Sequence, residues 1–227
     1  MSHPGPSPAP APHRVLVVED HPAVMEGLAG LLERQGNCTV VGRAATPAET
    51  LVLAETTAPE IIVLDLMLGA ADGLALIKDL RTRSPGTRIL VFTLQSEEIY
   101  AERCLRAGAS GYVMKKEPVA ELYAAIRTLV AGNLRFSPRV VEAVMAAALG
   151  RPRAAPGHAV TQLSDRELQV FRLTGLAVAT KEIAAQLGVS VKTVEAHREN
   201  IKNKLGLPNH AALTARAAAW LRDTAEA

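Results

Sequence analysis

The sequence predicts a chain of two parts, an α/β domain built on a parallel sheet and a smaller all-α domain after it. In the first 150 residues, five short apolar runs alternate with five amphipathic helical patterns, which is typical of a parallel sheet with helices on both faces. Beyond residue 160, four helical patterns follow one another, and no run is typical of a strand. The parts also differ in charge, with 14 Lys+Arg and 16 Asp+Glu in residues 1–150 against 11 and 7 in residues 151–227. The overall net charge of +2 therefore combines an acidic part and a basic part.

The first part has the pattern of five buried strands, each followed by a helix. Strands that are buried on both faces are continuously apolar, and the runs IIVL and RILVF have this property. The predicted strands are Arg14–Val18, Thr39–Gly42, Ile61–Leu64, Arg88–Phe92 and Gly111–Met114. The helical patterns cover residues 22–34, 47–58, 72–83, 97–107, 118–131 and Pro138–Leu149.

The second part begins with a capping box in which Ser164 caps a helix and Glu167 reaches back to it. The turn Gly188-Val189-Ser190 joins the next two predicted helices. These helices and the last one cover Lys181–Leu187, residues 191–205 and, with Asn209 as the cap, residues near 210–223. Short helices joined by a three-residue turn in a basic domain are typical of a helix-turn-helix protein.

Composition excludes several classes of protein. The chain is 48% apolar, has two cysteines and has no apolar run of membrane-spanning length, which argues against membrane proteins and disulfide-rich secreted domains. The first residues lack the hydrophobic core of a signal peptide, so we expect a cytoplasmic protein. We predict a disordered tail over residues 1–12, an α/β domain over 13–132, a helical linker over 133–160 and a helix-turn-helix domain over 161–227.

Polar residues end four of the five predicted strands. Glu19 and Asp20 come after the first strand, Asp65 after the third, Thr93 after the fourth and Lys115 after the fifth. In an open parallel sheet, all of these positions face the crevice beyond the carboxyl ends of the strands. Gathered carboxylates repel one another unless a cation is present, and oxygen ligands near a phosphate group suit Mg²⁺. The set is therefore suited to phosphoryl transfer onto an aspartate, with a lysine and a hydroxyl to neutralise the transferred group.

The segments EDHPAVMEGL, VLDLML…DGL, VFT and AGASGYVMK occur in an order and spacing that resemble the receiver domains of two-component response regulators. The resemblance covers about residues 13–132 and implies a flavodoxin-like fold with strand order 2-1-3-4-5. It also implies that Asp65 is the phosphoacceptor. The implied Mg²⁺ ligands are Glu19 (directly or through water), Asp20, Asp65 and the backbone carbonyl of Met67.

The same resemblance assigns the residues around the phosphoryl group. Thr93 would bind it and Lys115 would pair with it, with Lys116 as an alternative that the spacing makes less suitable. Tyr112 matches the aromatic residue whose rotamer couples to activation, although an ordinary half-buried aromatic is the alternative.

This chain departs from the receiver pattern in one loop. The family commonly has proline four residues after the phosphoacceptor, where this chain has Gly69, and this predicts a less rigid loop. His21, beside the acids, is expected to serve the loop or the helix start, because no cysteine or second histidine has suitable spacing for a metal site with it. Cys38 and Cys104 are expected to be small core residues.

The stretch KEIAAQLGVSVKTVEAHRENIKNKLG resembles the LuxR-type helix-turn-helix. Together with the receiver pattern, it makes the chain similar to the NarL/FixJ family of response regulators. The apolar residues of its two helices would pack together and leave a polar face for the major groove of DNA. The resemblance implies phosphate contacts by Lys192, Thr193, Arg198 and Lys202, and base-edge positions for Glu195, Ala196 and Glu199.

Some positions of the helical part have two interpretations. His197 either packs or contacts DNA, and Lys181 is either a solvated lysine or a contact. Ala177 and Thr180 stand where the family commonly has glycine and asparagine, although Thr180 can still cap a helix. The last helix either belongs to the domain core or contributes a dimer contact, with Trp220 expected in the core.

The two resemblances imply a phosphorylation-dependent transcriptional regulator. A sensor histidine kinase would phosphorylate Asp65, and the protein would bind double-stranded DNA and form a homodimer when phosphorylated. Apart from its own phosphorylation and dephosphorylation, it is not expected to be an enzyme. One alternative is a metal-dependent phosphatase, which commonly has a second Asp where this chain has Met67. Another is a binding module that acts without phosphorylation, against which the acidic pocket argues.

Overall fold

A sheet of five parallel strands forms the centre of the first domain. The computed structural model describes residues 11–34, 37–69, 71–149 and 159–226. The strand order is β2-β1-β3-β4-β5, as the sequence predicts. The strands are β1 (His13–Val18), β2 (Cys38–Ala44), β3 (Ile61–Leu64), β4 (Arg88–Thr93) and β5 (Gly111–Met114). The edge strand β2 is longer than predicted, and a register shift between Val15 and Leu16 accommodates it.

Helices cover both faces of this sheet. They are α1 (Pro22–Arg34), α2 (Pro47–Thr57), α3 (Gly73–Arg83), α4 (Glu97–Ala107) and α5 (Val119–Val130). Because successive side chains of a strand point to opposite faces, Val15 and Val17 lie in one core and Leu16 and Val18 lie in the other. Helices α1 and α5 cover the first core, and α2, α3 and α4 cover the second. Cys104 is buried in the second core, as expected, and Cys38 is half-buried.

The helical domain consists of four α-helices after a short 3-10 helix. Before this domain, the helix α6 (Pro138–Ala148) packs against α4 of the first domain. The helical domain itself contains the 3-10 helix Ala159–Gln162, α7 (Asp165–Gly175), α8 (Thr180–Gln186), α9 (Val191–Leu205) and α10 (His210–Glu226). Phe171 and Trp220 are buried in its core, with ring centroids 5.5 Å apart, which confirms the core position expected for Trp220.

Three of the predicted helix caps are present, and a fourth, at Thr180, is wrong. Ser164, Ser190 and Asn209 each accept a hydrogen bond from a backbone N–H in the first turn of their helix. Thr180 does not cap α8, because the N-cap position is Ala179 and makes no side-chain cap. The Thr180 hydroxyl instead accepts a hydrogen bond from Arg198 at 2.7 Å. The 3-10 helix was not predicted from the sequence.

The two domains contact each other along α3 and α4 of the first and α7 of the second. The Arg103 guanidinium on α4 donates to Asp165 Oδ1 at 2.7 Å and to the carbonyl of Leu163 at 2.6 Å. Arg172 on α7 donates to the carbonyl of Gly69 at 3.0 Å. The domains are therefore docked in this structure.

Parts of two predicted features lie outside the described residues. These are the tail over residues 1–12, of which only 11 and 12 are described, and the helical linker over 133–160, of which residues 150–158 are not described. Within the described ranges, no helix combines the length and apolar character needed to span a membrane.

Candidate phosphorylation site and DNA-contacting surface

The acidic pocket, defined here as Glu19, Asp20, Asp65, Thr93 and Lys115, lies at the carboxyl edge of the sheet. Glu19 and Asp20 directly follow β1, Asp65 directly follows β3, and Lys115 directly follows β5. Thr93 is the last residue of β4. Short strands with buried apolar side chains therefore determine where each polar side chain emerges.

Asp65 lies at the centre of the acidic pocket and is only 7% exposed. Its Oδ1 atom accepts hydrogen bonds from the Thr93 hydroxyl at 2.7 Å and from the backbone N–H of Met67 at 3.1 Å. Its Oδ2 atom accepts a hydrogen bond from Lys115 Nζ at 2.5 Å. The structure thus brings the predicted acceptor, hydroxyl and lysine into direct contact.

The Lys115 ammonium group lies between two carboxylates. Its Nζ atom is 2.5 Å from Asp65 Oδ2 and 2.5 Å from Glu19 Oε2, and Glu19 is 1% exposed. Burial alone would lower the pKa of Lys115, but the carboxylates of Asp65 and Glu19 raise it above its ordinary value. Lys115 is therefore a cation at neutral pH, and it offsets the repulsion between two buried acids.

The two oxygens of Asp20 have different partners. Its Oδ2 atom accepts a hydrogen bond from the Gly69 N–H at 2.7 Å. Its Oδ1 atom is buried and lies 2.9 Å from Nδ1 of His21, whose imidazole is exposed. A buried carboxylate oxygen close to the carboxylate of Glu19, with an exposed histidine as its neighbour, fits a hard divalent cation such as Mg²⁺.

His21 lies at the edge of this cluster. Glu19, Asp20 and His21 each place a possible ligand atom within 4.8 Å of the others. The carboxylate of Asp20, followed by that of Glu19, raises the pKa of His21. Its backbone carbonyl accepts a hydrogen bond from the N–H of Met25 in the first turn of α1, which agrees with the expected role at the helix start.

A hydrogen-bonded path leads from Asp65 towards α4. The Thr93 hydroxyl, which donates to Asp65, also accepts a hydrogen bond from the N–H of Gln95 at 3.4 Å. The carbonyl of Gln95 accepts a hydrogen bond from the Tyr112 hydroxyl at 2.8 Å. Tyr112 is 5% exposed, and burial raises its pKa well above the ordinary value. Tyr112 is thus buried next to the loop that precedes α4.

Helix α9, the predicted recognition helix for DNA, presents a polar face to solvent. Val194 and Ile201 are buried against α8, where Ile183 and Ala184 are also buried, as the sequence predicts. The opposite face carries the exposed residues Lys192, Glu195, Ala196 and Glu199. Docking of the two domains leaves these four predicted DNA-facing residues exposed.

Three other predicted DNA contacts have partners within the helical domain. The Arg198 guanidinium donates to the Thr180 and Thr174 hydroxyls at 2.7 and 3.4 Å, and desolvation lowers its pKa. Lys202 pairs with Glu199 at 2.7 Å. The N–H of Thr193 donates to the Ser190 hydroxyl at 3.1 Å. Arg198 therefore also holds α9 against α7 and α8.

Sequence reasoning missed the residues that join the domains. Arg103 and Asp165 are 62 positions apart, and the capping box in which Asp165 stands gives no sign of a partner in the first domain. The Arg103 side chain is only 13% exposed. An arginine is seldom buried to this extent unless it is paired, and here the partner is Asp165. The sequence does not reveal this burial, because it depends on the second domain.

Comparison with known families agrees with the two-part architecture. Residues 15–127 match the family model of the response regulator receiver domain. Residues 161–217 match the model of the bacterial regulatory proteins of the luxR family.

Similar proteins of known name extend over nearly the same length. The nitrate/nitrite response regulator protein NarL of Escherichia coli is 31% identical over 210 residues, covering 92% of this chain and 95% of NarL. The Fimbriae Z protein of Salmonella typhimurium is 33% identical over 196 residues, covering 86% of this chain and 91% of that protein.

Solved structures also resemble this chain. RcsB of Salmonella enterica serovar Typhimurium, bound to promoter rprA in the presence of the phosphomimetic BeF3⁻, has a TM-score of 0.71 at 25% identity, covering 91% of this chain and 98% of that chain. A LuxR-family two-component response regulator from Aurantimonas sp. is 35% identical, with a TM-score of 0.55, and covers 61% of this chain and 99% of that chain.

Proposed function

This chain belongs to the NarL/FixJ group of two-component response regulators, which join a receiver domain to a LuxR-type DNA-binding domain, and we propose that Asp65 is its phosphoacceptor. Members of this group are transcriptional regulators rather than enzymes. The observation that supports Asp65 most strongly is that its carboxylate accepts hydrogen bonds from the Thr93 hydroxyl at 2.7 Å and from Lys115 Nζ at 2.5 Å. We assign residues 13–132 to the receiver domain, 133–160 to the linker and 161–227 to the DNA-binding domain.

In the proposed reaction, a carboxylate oxygen of Asp65 attacks the phosphorus of a phosphohistidine on a sensor kinase. The new P–O bond forms as the P–N bond breaks, and the histidine nitrogen leaves with the bonding electrons. Lys115 then pairs with the transferred phosphoryl group, and the Thr93 hydroxyl donates to it. Both side chains already contact Asp65, so little reorganisation precedes the transfer.

We assign Mg²⁺ to the same pocket. Asp20, through its buried Oδ1 atom, Asp65 and the backbone carbonyl of Met67 would bind the ion, and Glu19 would do so directly or through water. When bound, Mg²⁺ supplies positive charge that neutralises the transferring group.

The proposed switch runs through two hydrogen bonds of Gln95: its N–H donates to the Thr93 hydroxyl, and its carbonyl accepts from the Tyr112 hydroxyl. A phosphoryl group on Asp65 draws the Thr93 hydroxyl towards itself, which changes the loop before α4. Helix α4 carries Arg103, which holds Asp165 of the DNA-binding domain. Phosphorylation would therefore shift the population from docked domains towards released domains that dimerise on DNA.

On DNA, we place α9 in the major groove. Lys192, Thr193, Arg198 and Lys202 would contact phosphates, and Glu195, Ala196 and Glu199 would face base edges. A glutamate at such a position accepts a hydrogen bond from cytosine N4 and repels phosphate, so it contributes to specificity more than to affinity. The protein would act in the bacterial cytoplasm as a homodimer, with a sensor histidine kinase as its second partner.

Incubation with acetyl phosphate and Mg²⁺ tests the assignment of Asp65. Mass spectrometry should detect one added phosphoryl group on the wild-type protein and none on the Asp65→Asn variant. Asp79→Asn, at a carboxylate on α3 outside the acidic pocket, is the matched control and should be labelled like the wild type. Labelling of Asp65→Asn at the wild-type level would show that another residue is the acceptor.

A further inference from the structure

Gly69 hydrogen bonds both to the acidic pocket and to the docked DNA-binding domain. Its N–H donates to Asp20 Oδ2 at 2.7 Å, and its carbonyl accepts from the Arg172 guanidinium at 3.0 Å. Arg172 lies on α7 of the DNA-binding domain. A chain of two hydrogen bonds therefore joins that domain to a proposed Mg²⁺ ligand.

The backbone conformation of Gly69 permits both bonds. Its φ is +58°, in the left-handed region that glycine adopts without steric cost. Proline, the residue common in the family at this position, has φ near about −65° and no N–H. A proline would therefore neither adopt this conformation nor donate to Asp20, so this departure from the family is what makes the link possible.

The two oxygens of Asp20 have different surroundings. Oδ2 is bonded to the backbone N–H of Gly69, whereas Oδ1 is buried and has the exposed imidazole of His21 as its neighbour, at 2.9 Å. A hydrogen bond to one oxygen of a ligating carboxylate orients the other oxygen towards the metal. Gly69 thus positions Asp20 for a cation and does not compete with it.

Close packing keeps Arg172 beside Gly69. Leu168 on α7 is 2% exposed and lines one small cavity together with the loop between β3 and α3. The cavity left between that loop and α7 has a volume of only about 30 Å³ and is lined by Leu66, Met67 and Gln169 among others. The docked position of α7 therefore sets where the Arg172 side chain can reach.

We propose that Arg172 is a positioning residue for the metal site of the receiver, acting through Gly69 on Asp20. The docked DNA-binding domain then strengthens Mg²⁺ binding, and Mg²⁺ stabilises the docked arrangement by the same factor. Mg²⁺ alone therefore favours the docked state, and release depends on phosphorylation. This inference rests on the proposed assignment of Asp20 as a metal ligand.

Isothermal titration of the full-length protein with MgCl2 tests the inference. Arg172→Ala should raise the Kd for Mg²⁺ by about three- to tenfold, near the lower end of what loss of an outer-shell partner costs. Arg172→Lys, which keeps one donor, should recover part of this loss. Arg83→Ala is the matched control, because Arg83 pairs with Glu55 inside the receiver at 3.4 Å, so that its substitution removes a guanidinium without touching the contact between the domains. Its Kd should equal that of the wild type.

A second variant isolates the path through Gly69. Gly69→Pro removes the N–H, so Arg172→Ala should have no further effect on the Kd in that background. An unchanged Kd in Arg172→Ala, or an equal loss in Arg83→Ala, would overturn the inference. Asp20→Asn separates the two claims. If it binds Mg²⁺ like the wild type, the metal site itself is wrong, whereas loss of binding there with no effect of Arg172→Ala refutes only the inference.

Discussion

In the acidic pocket the polar side chains are bonded to one another, whereas on the recognition helix α9 most of them face solvent. Glu19, Asp65 and Thr93 are at most 7% exposed and have their partners before any phosphoryl group arrives. Lys192 and Glu195 on α9 are exposed. Phosphoryl transfer requires atoms held in one geometry, while a DNA-contacting face must stay open for the groove.

This difference has a consequence for substitutions. In the acidic pocket, the side chains that would perform the chemistry also stabilise the fold, so their removal should change both. On α9, removal of an exposed side chain should change DNA binding and leave stability nearly constant.

The largest effect is expected at Lys115. Lys115→Met leaves the carboxylates of Asp65 and Glu19 buried without their cation, which should lower the free energy of unfolding by about 3 kcal/mol or more. Urea denaturation in the presence of EDTA measures this loss, and added Mg²⁺ should restore more stability to the variant than to the wild type. The exposed Lys116→Met is the control and should stay within about 0.5 kcal/mol of the wild type. A loss below about 1 kcal/mol in Lys115→Met would mean that the pocket acids are solvated.

The next effect concerns docking of the two domains. Arg103→Ala removes hydrogen bonds from α4 to Asp165 and to the carbonyl of Leu163. Because bonds of this kind are charge-assisted, their loss should shift the equilibrium towards released domains by roughly tenfold or more. Small-angle X-ray scattering of the unphosphorylated protein should detect a larger radius of gyration. Arg106→Ala, which removes an ion pair with Glu102 inside α4, should scatter like the wild type, and an unchanged radius in Arg103→Ala would refute its docking role.

On α9, two exposed residues should separate affinity from specificity. Lys192→Ala should weaken binding to all DNA sequences and reduce the slope of log K against log salt by about 1. Glu195→Ala should instead relax the preference for one base pair, by about 1–3 kcal/mol. Fluorescence anisotropy at several salt concentrations, with duplexes selected from a random library, measures both. A change in thermal stability of either variant would contradict the open character of this face.

The smallest effect concerns one alanine in each domain. Ala177 in the DNA-binding domain and Ala58 in the receiver have positive φ values of 57° and 43°. Replacement by glycine relieves left-handed strain, and each variant should gain about 0.5–1 kcal/mol in free energy of unfolding by urea denaturation. Ala185→Gly, at an exposed position within α8, should lose about 1 kcal/mol instead. A loss in Ala177→Gly would show that its conformation is not strained.

Much of the fold was predictable because its signals are local. The runs IIVL and RILVF are continuously apolar, and each corresponds to a buried strand whose end places a polar side chain at the sheet edge. The order of motifs predicted a receiver joined to a LuxR-type domain, and the matches over residues 15–127 and 161–217 confirm it. Asp65, Thr93 and Lys115 came together as expected, because parallel strands end at a common edge.

The remaining features depend on contacts between distant segments. The prediction of Thr180 as a helix cap was wrong. The residue type is suitable for a cap, but the sequence does not reveal that Arg198 donates a hydrogen bond to this hydroxyl. The glycine at position 69 led us to expect a less rigid loop. In the structure, its N–H and its carbonyl form hydrogen bonds with residues of two different domains. Arg103 is half of a docking contact that exists only once both domains have folded.

If phosphorylation of Asp65 controls DNA binding, the Kd for a selected duplex should depend on beryllofluoride in the presence of Mg²⁺, and fluorescence anisotropy measures this Kd. We expect beryllofluoride to tighten binding by the wild-type protein about tenfold or more, within the range of allosteric coupling, and to leave Asp65→Asn unchanged. Equal affinity of the wild-type protein with and without beryllofluoride would contradict the switch, even if DNA binding itself were strong.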